Sequence, residues 1–281
     1  MDLRAGFSLI RPVNCAMIGF AVIVGEFVSK PVQVPVLQSA LGFLTGFLIC
    51  AYSMAVNDVY DVEVDRVNRP ERPIPSGKVD IGEANRISML VLAGGVAAAV
   101  ATLIPLAVAI SLAYAFLSWV YNSWAKKTGI AGNAIVASSL AIPFIYGGAI
   151  SAGSILGSLL LIMATTSFLS GVGREVVKGM ADVEGDGRRG INSIARRNGQ
   201  KGAAFVGAGF FLSAVVTSWL PIVLGLANGY YVYGVLVPDV IFVYLAATAI
   251  MKSTPDNAYR VKKLALFGML AGLIVFIAGG L

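Results

Sequence analysis

Asn57, Asp58, Asp61 and Asp65 crowd into one short stretch, and Asp182 and Asp186 form an acidic echo much further along the chain. A helix brings residues four apart onto one face. Asn57, Asp61 and Asp65 are therefore expected as one oxygen-bearing stripe with Asp58 at its edge, and Asp182 with Asp186 as a second. Carboxylates so close repel, and some keep their protons unless a cation neutralises them. With no His in the chain, the available ligands are hard oxygens. Such a set suits Mg²⁺, which is commonly held by a few carboxylates together with substrate phosphates. The six residues are the expected metal ligands, and Asp61, Asp65, Asp182 and Asp186 the expected catalytic acids. The bland alternative is a solvated acidic helix end. It is the weaker reading, because acidic clusters at a membrane edge are usually functional.

The elements that must hold these groups are apolar. The 281 residues are 57% hydrophobic and 13% charged, with a mean hydropathy of +0.82. Apolar runs of about 20 residues recur, the length that crosses a bilayer's hydrocarbon core. Nine spans are expected, at 8–28, 36–58, 82–102, 104–122, 131–150, 155–178, 201–221, 229–251 and 259–280. Lipid leaves no water for a bare backbone, so the expected fold is all-α, a polytopic bundle forming one domain over 1–281. Gly94-Gly95 and Gly147-Gly148 read as sites of close helix approach. The first apolar run reads as a span rather than a signal peptide, since no small-residue cleavage site follows a basic start. Cys15 and Cys50 lie in apolar runs and suggest neither a disulfide nor a metal site. The absence of His excludes His-based catalysis and Zn–His sites.

Charge gives the orientation. Of the 21 Lys and Arg residues, all but Lys30 fall on one set of joints, which also carries both acidic clusters. The positive-inside rule makes that side cytoplasmic, with the N-terminus in and the C-terminus out. The formal charge of +6 is then explained by topology and anionic lipid, with no call for nucleic acid. The clusters follow the second and sixth spans, which hints at an internal repeat.

The stretch NDVYDVEVDRVNRPERPIPSG, 57–77, resembles the first Asp-rich motif of the UbiA-type intramembrane prenyltransferases. DVEGD at 182–186, with Gly190-Ile191-Asn192-Ser193 behind it, is similar to that family's second motif and its trailing segment. One departure is Gly179, where related archaeal enzymes often carry an acid. The resemblance implies a helical bundle with a central cavity open to the cytoplasm. It implies acid clusters that hold Mg²⁺ against a prenyl diphosphate, so that the allylic C–O bond can ionise.

Cations near those clusters are then candidate phosphate contacts: Arg66, Arg72, Lys126 and Lys178. Pro70, Pro73 and Pro75 stiffen the loop that carries Arg72, and a rigid Arg fork suits phosphate. Arg11, beside Pro12 and Asn14 in the first span, resembles the family's early Arg-Pro pair. Arg11 is expected to touch substrate phosphate, the alternative being a snorkelling anchor, and Asn14 is expected to bind substrate beside it. Tyr121 looks like the family's Tyr-containing segment before Lys126 and is expected to line the cavity, or else to sit in the aromatic belt. No role is read for Asp239.

The second-motif neighbourhood, GREVVKGMADVEGD, is similar to the branch of archaeal digeranylgeranylglyceryl phosphate synthases. That implies transfer of a geranylgeranyl group to geranylgeranylglyceryl phosphate, a lipid acceptor. The competing readings are prenylation of an aromatic acceptor in quinone synthesis and, less favoured, a transporter. A transporter's charges belong near the bilayer midplane, whereas these cluster at one face.

Overall fold

The structure is a computed structural model that describes residues 3–29, 35–188 and 190–280. Its helices are α1 (Leu3–Ile10), α2 (Pro12–Ser29), α3 (Val36–Tyr60), α4 (Val62–Asn68), α5 (Ile81–Ala101), α6 (Pro105–Ser123), α7 (Ile130–Ala152) and α8 (Ser158–Ala181). They continue with α9 (Val183–Arg188), α10 (Ile194–Ser218), α11 (Leu220–Val223), α12 (Gly229–Gly234), α13 (Leu236–Met251) and α14 (Pro255–Gly280). A 3₁₀ turn, Ala125–Thr128, joins α6 to α7. No strand occurs among the described residues.

Nine apolar segments among the described residues are long enough to cross a membrane, and they coincide with the nine expected spans. Lys30 and Pro31, read as part of the first joint, lie outside the described residues.

The first span begins differently from expectation. The chain breaks at Arg11, where α1 ends and Pro12 opens α2. Proline fits the first helical position, since its missing N–H would have no partner there. It also disfavours helical geometry in the residue before it. The seventh span is longer than expected, Ile194–Val223, and takes in α11.

Packing is closest where side chains are smallest. A Cβ on Gly147 of α7 would stand 2.1 Å from the carbonyl oxygen of Val22 in α2. Backbone meets backbone there, as small residues permit between membrane helices. On the other side of the bundle, Val172, Val176 and Met180 of α8 pack with Ala204 and Phe211 of α10 and Leu245 of α13. Large apolar side chains such as Leu90, Val216 and Val240 point outward. In water that would be a liability; in lipid it is the expected exterior.

Helices α2, α7, α8, α10, α13 and α14 enclose an apolar chamber, with Ala21, Phe144, Ser170, Phe242 and Met269 in its walls. Asp239 also lines it. Its buried carboxylate accepts hydrogen bonds from Ser218 Oγ at 2.9 Å and Trp219 Nε1 at 2.8 Å. The charge is thus paid for inside the bundle by two donors from one neighbouring turn.

Candidate active site

The two acidic motifs are built alike. Asp61 ends α3 with φ −93° and ψ 2°, and a short helix, α4, follows. Asp182 ends α8 with φ −105° and ψ 13°, and the short α9 follows. In both, the next Asp donates its amide back to the cap carbonyl at 2.8 Å, from Asp65 to Asp61 and from Asp186 to Asp182. Each helix thus stops at an Asp and restarts with its ladder nearly unbroken.

Motif one does not form a single stripe. It splits into two faces. Asn57 and Asp61 turn toward α6 and the 3₁₀ turn, where Asn57 Nδ2 donates to Asn122 Oδ1 at 2.8 Å and Lys126 bonds Asp61. Asp58 and Asp65 turn the other way and share Arg72, which bonds both, at 3.2 Å to Asp58. Arg11 also bonds Asp58. The cause is helical drift. Residues four apart diverge by about 40°, whereas residues seven apart diverge by only about 20°. Asp65 therefore falls closer to Asp58 than to Asn57.

The cations are positioned by the fold. The proline loop after α4 is a chain of tight turns, with Arg72 N to Arg69 O at 3.0 Å and Ser76 N to Arg72 O at 3.0 Å. Ile74 and Val79 anchor it by burial with Leu9, Ala55 and Ala84. Asp80 and Glu83 end it with a reciprocal capping box that starts α5. Arg11 has φ +50°, in the left-handed region that non-glycine residues rarely occupy. Backbone strain of this kind persists where surrounding structure enforces it, and it concentrates at functional sites. Here it aims Arg11 at Asp58.

Lys126 is fixed from a third direction. Gly129 follows its turn with φ +71°, and a Cβ there would stand 2.2 Å from the carbonyl oxygen of Asn192. Asn192 N donates to Lys127 O at 3.2 Å. The segment trailing motif two therefore docks on the turn that presents Lys126 to motif one. Lys126 Nζ also lies 5.9 Å from the centroid of the Tyr121 ring, in the cation–π range.

Other expected residues stand apart. Arg66 turns outward to Glu63 at 2.8 Å, an exposed pair. Asn14 is exposed on α2, and Asp182 is exposed at the end of α8, with Asp186 half-buried on α9. Lys178 bonds Glu175 at 2.9 Å. Gly179 faces Ser193, whose Cβ would be 3.6 Å from an added Cβ.

The sequence does not single out Glu175, and it gives Asn122, which stands beside Tyr121 in the family-like segment, no role of its own. Glu175 is buried and holds both Arg174, at 2.6 Å, and Lys178. The signal available was a lone acid between two bases in GREVVK.

The donor set at the mouth is oxygen only, which fits a hard divalent ion. Among the described residues, no three acidic side chains are gathered closely enough to hold a metal ion. Arg11, Arg72 and Lys126 occupy Asp58, Asp65 and Asp61 instead. The mouth is thus a set of carboxylates and cations that a polyanion with its metal can re-pair.

The sequence profile of the UbiA prenyltransferase family matches residues 18–273. The chain belongs to the UbiA prenyltransferase family. It is accordingly a multi-pass membrane prenyltransferase. The digeranylgeranylglyceryl phosphate synthase of Archaeoglobus fulgidus is 36% identical to this prenyltransferase, over 99% of this chain and 95% of its own length. A solved structure described as digeranylgeranylglyceryl phosphate synthase superposes with a TM-score of 0.83 at 30% identity, covering 99% of this chain and 98% of its own. A UbiA homologue from Archaeoglobus fulgidus, bound to GPP and Mg²⁺, shares the fold with a TM-score of 0.71 at 18% identity, over 97% of this chain and 99% of its own.

Proposed function

We propose that this prenyltransferase transfers a geranylgeranyl group from geranylgeranyl diphosphate to geranylgeranylglyceryl phosphate, giving digeranylgeranylglyceryl phosphate. The observation that carries the choice of acceptor is the 36% identity over 99% of the chain to a synthase of that name. The paired acids and cations at the mouth support the donor chemistry.

Asn57, Asp58, Asp61, Asp65, Asp182 and Asp186 would hold Mg²⁺. Mg²⁺ so bound neutralises charge on the departing diphosphate. The remaining work falls to the chain. Arg11, Arg72 and Lys126 exchange their carboxylates for phosphate oxygens when the donor arrives. Charge-assisted bonds of this kind, especially from Arg forks, orient a diphosphate strongly. The prenyl tail lies in the apolar chamber, which keeps water from the allylic carbon. The C–O bond to diphosphate breaks with its electron pair leaving on oxygen. The glycerol hydroxyl of the acceptor attacks the allylic carbon and forms the ether. Its proton passes to diphosphate or to a mouth carboxylate such as Asp61 during or after attack. Holding two lipids in one orientation supplies much of the acceleration.

We place the mouth on the cytoplasmic side, with the N-terminus in and the C-terminus out, from the one-sided distribution of basic residues. The deciding assay supplies purified protein with geranylgeranyl diphosphate, Mg²⁺ and either geranylgeranylglyceryl phosphate or hydroxybenzoate, and identifies products by mass. Ether product from the phospholipid supports the reading. Prenylated aromatic acid alone would overturn it.

A further inference from the structure

A second cationic group lies on α8 and α14. Glu175 is buried there and bonds Arg174 at 2.6 Å and Lys178 at 2.9 Å. Lys262 stands on α14, the helix packed against α8, with its Nζ 4.6 Å from the centroid of the Tyr259 ring. Three cations against one carboxylate leave a surplus of positive charge. Moreover, the Nε–H of Arg174 is buried without a hydrogen-bond partner. A buried guanidinium donor left unpaired is costly unless something accepts from it.

The cluster also continues the walls of the apolar chamber. Ser170 lines the chamber on α8; Arg174 follows it one turn on, about 40° around the helix, and Lys178 a further turn toward the same helix end. Met269 lines it on α14, and Lys262 lies two turns back on that face. The rise from Ser170 to Lys178 is about 12 Å. An amphiphile with an isoprenoid tail in the chamber would bring its anionic head to this rim. A phosphate monoester carries about −1.5 to −2 at neutral pH, which matches the surplus.

We propose that Arg174, Lys178 and Lys262 form the subsite for the acceptor's phosphate, given the phosphorylated acceptor inferred above, and that Glu175 is the positioning residue that spaces them. The diphosphate of the donor is left to Arg11, Arg72 and Lys126. One enzyme thereby holds two phosphorylated lipids at two separate groups of cations.

The test compares wild type with the Lys178→Gln/Lys262→Gln double variant and with Lys262→Arg, after checking that each is folded and monodisperse. Two ligands are used, geranylgeranylglyceryl phosphate and the same lipid without its phosphate. In binding, read as thermal stabilisation, wild type should favour the phosphorylated lipid and the double variant should lose that preference. In turnover, the double variant should raise the KM for the phosphorylated acceptor about tenfold or more, with the KM for geranylgeranyl diphosphate within about twofold. Lys262→Arg keeps the charge and should keep the binding preference for the phosphorylated lipid. An equal rise in both KM values would move the cluster to the donor and overturn the proposal. So would a wild type with no binding preference for the phosphate, even in an active enzyme. If instead the wild type prefers the phosphorylated lipid in binding but prenylates only another acceptor, the reaction assignment falls and the phosphate subsite stands.

Discussion

Lys126 is bonded to Asp61 from 65 positions further along the chain. The bond joins the turn after α6 to the break after α3. It means that Asp61 is neutralised before any substrate arrives. Replacing the carboxylate removes a proposed metal ligand and frees the lysine, but costs little packing, because both groups are only partly buried. Asp61→Ala should therefore lose about 100-fold or more in kcat with the folded protein intact. Asp182→Ala, at the equivalent break after α8, should behave alike. Near-normal turnover in either variant would show that the two motifs do not act on one diphosphate.

Arg72 differs, because its partners Asp58 and Asp65 are buried. Arg72→Ala leaves the buried Asp65 without its cation and Asp58 with Arg11 alone. Losing one partner of a buried pair costs about 3–5 kcal/mol, so this variant should melt well below wild type as well as lose activity. Adding Asp65→Asn should recover much of the stability and none of the activity. A single variant as stable as wild type would mean that Asp58 and Asp65 do not depend on Arg72.

Turnover should stop in excess chelator and return with Mg²⁺. The oxygen-only donor set is the reason. Full activity after exhaustive chelation would leave Arg11, Arg72 and Lys126 as the sole counter-charge for the diphosphate.

The topology is open to cysteine labelling. Cys15 and Cys50 are both buried and free, so replacing them gives a clean background. Ser76 and Gly187 are exposed at the mouth. Cysteines placed there should react with an impermeant maleimide only from the cytoplasmic side. Reaction from outside would reverse the orientation.

The spans were legible because lipid makes hydropathy a direct reading of depth, and both motifs because chemistry crowds polar groups where the background is apolar. The break at Arg11 was half legible, in the proline that follows it. The division of motif one was not. Fourfold spacing suggested one stripe, but the side on which Asp65 settles depends on helical drift and on Arg72, fourteen residues from Asp58. Glu175 escaped notice because its sequence neighbours look like topology-setting cations. Only the packing of the helices around α8 shows that the acid is buried. The pairing of Asn57 with Asn122 crosses 65 positions, and no local pattern announces it.

Gly129 sits so close to Asn192 that no side chain fits between them. That contact is a hinge pin between the two quasi-equivalent halves of the mouth, and it lies outside both acidic motifs. The segment after Asp186 is packed on the turn that carries Lys126, the lysine bonded to Asp61. Filling the space, as in Gly129→Ala, would uncouple the halves without removing a single charged group. The segment trailing the second motif and the turn bearing the first motif's lysine are thus held together by backbone contact.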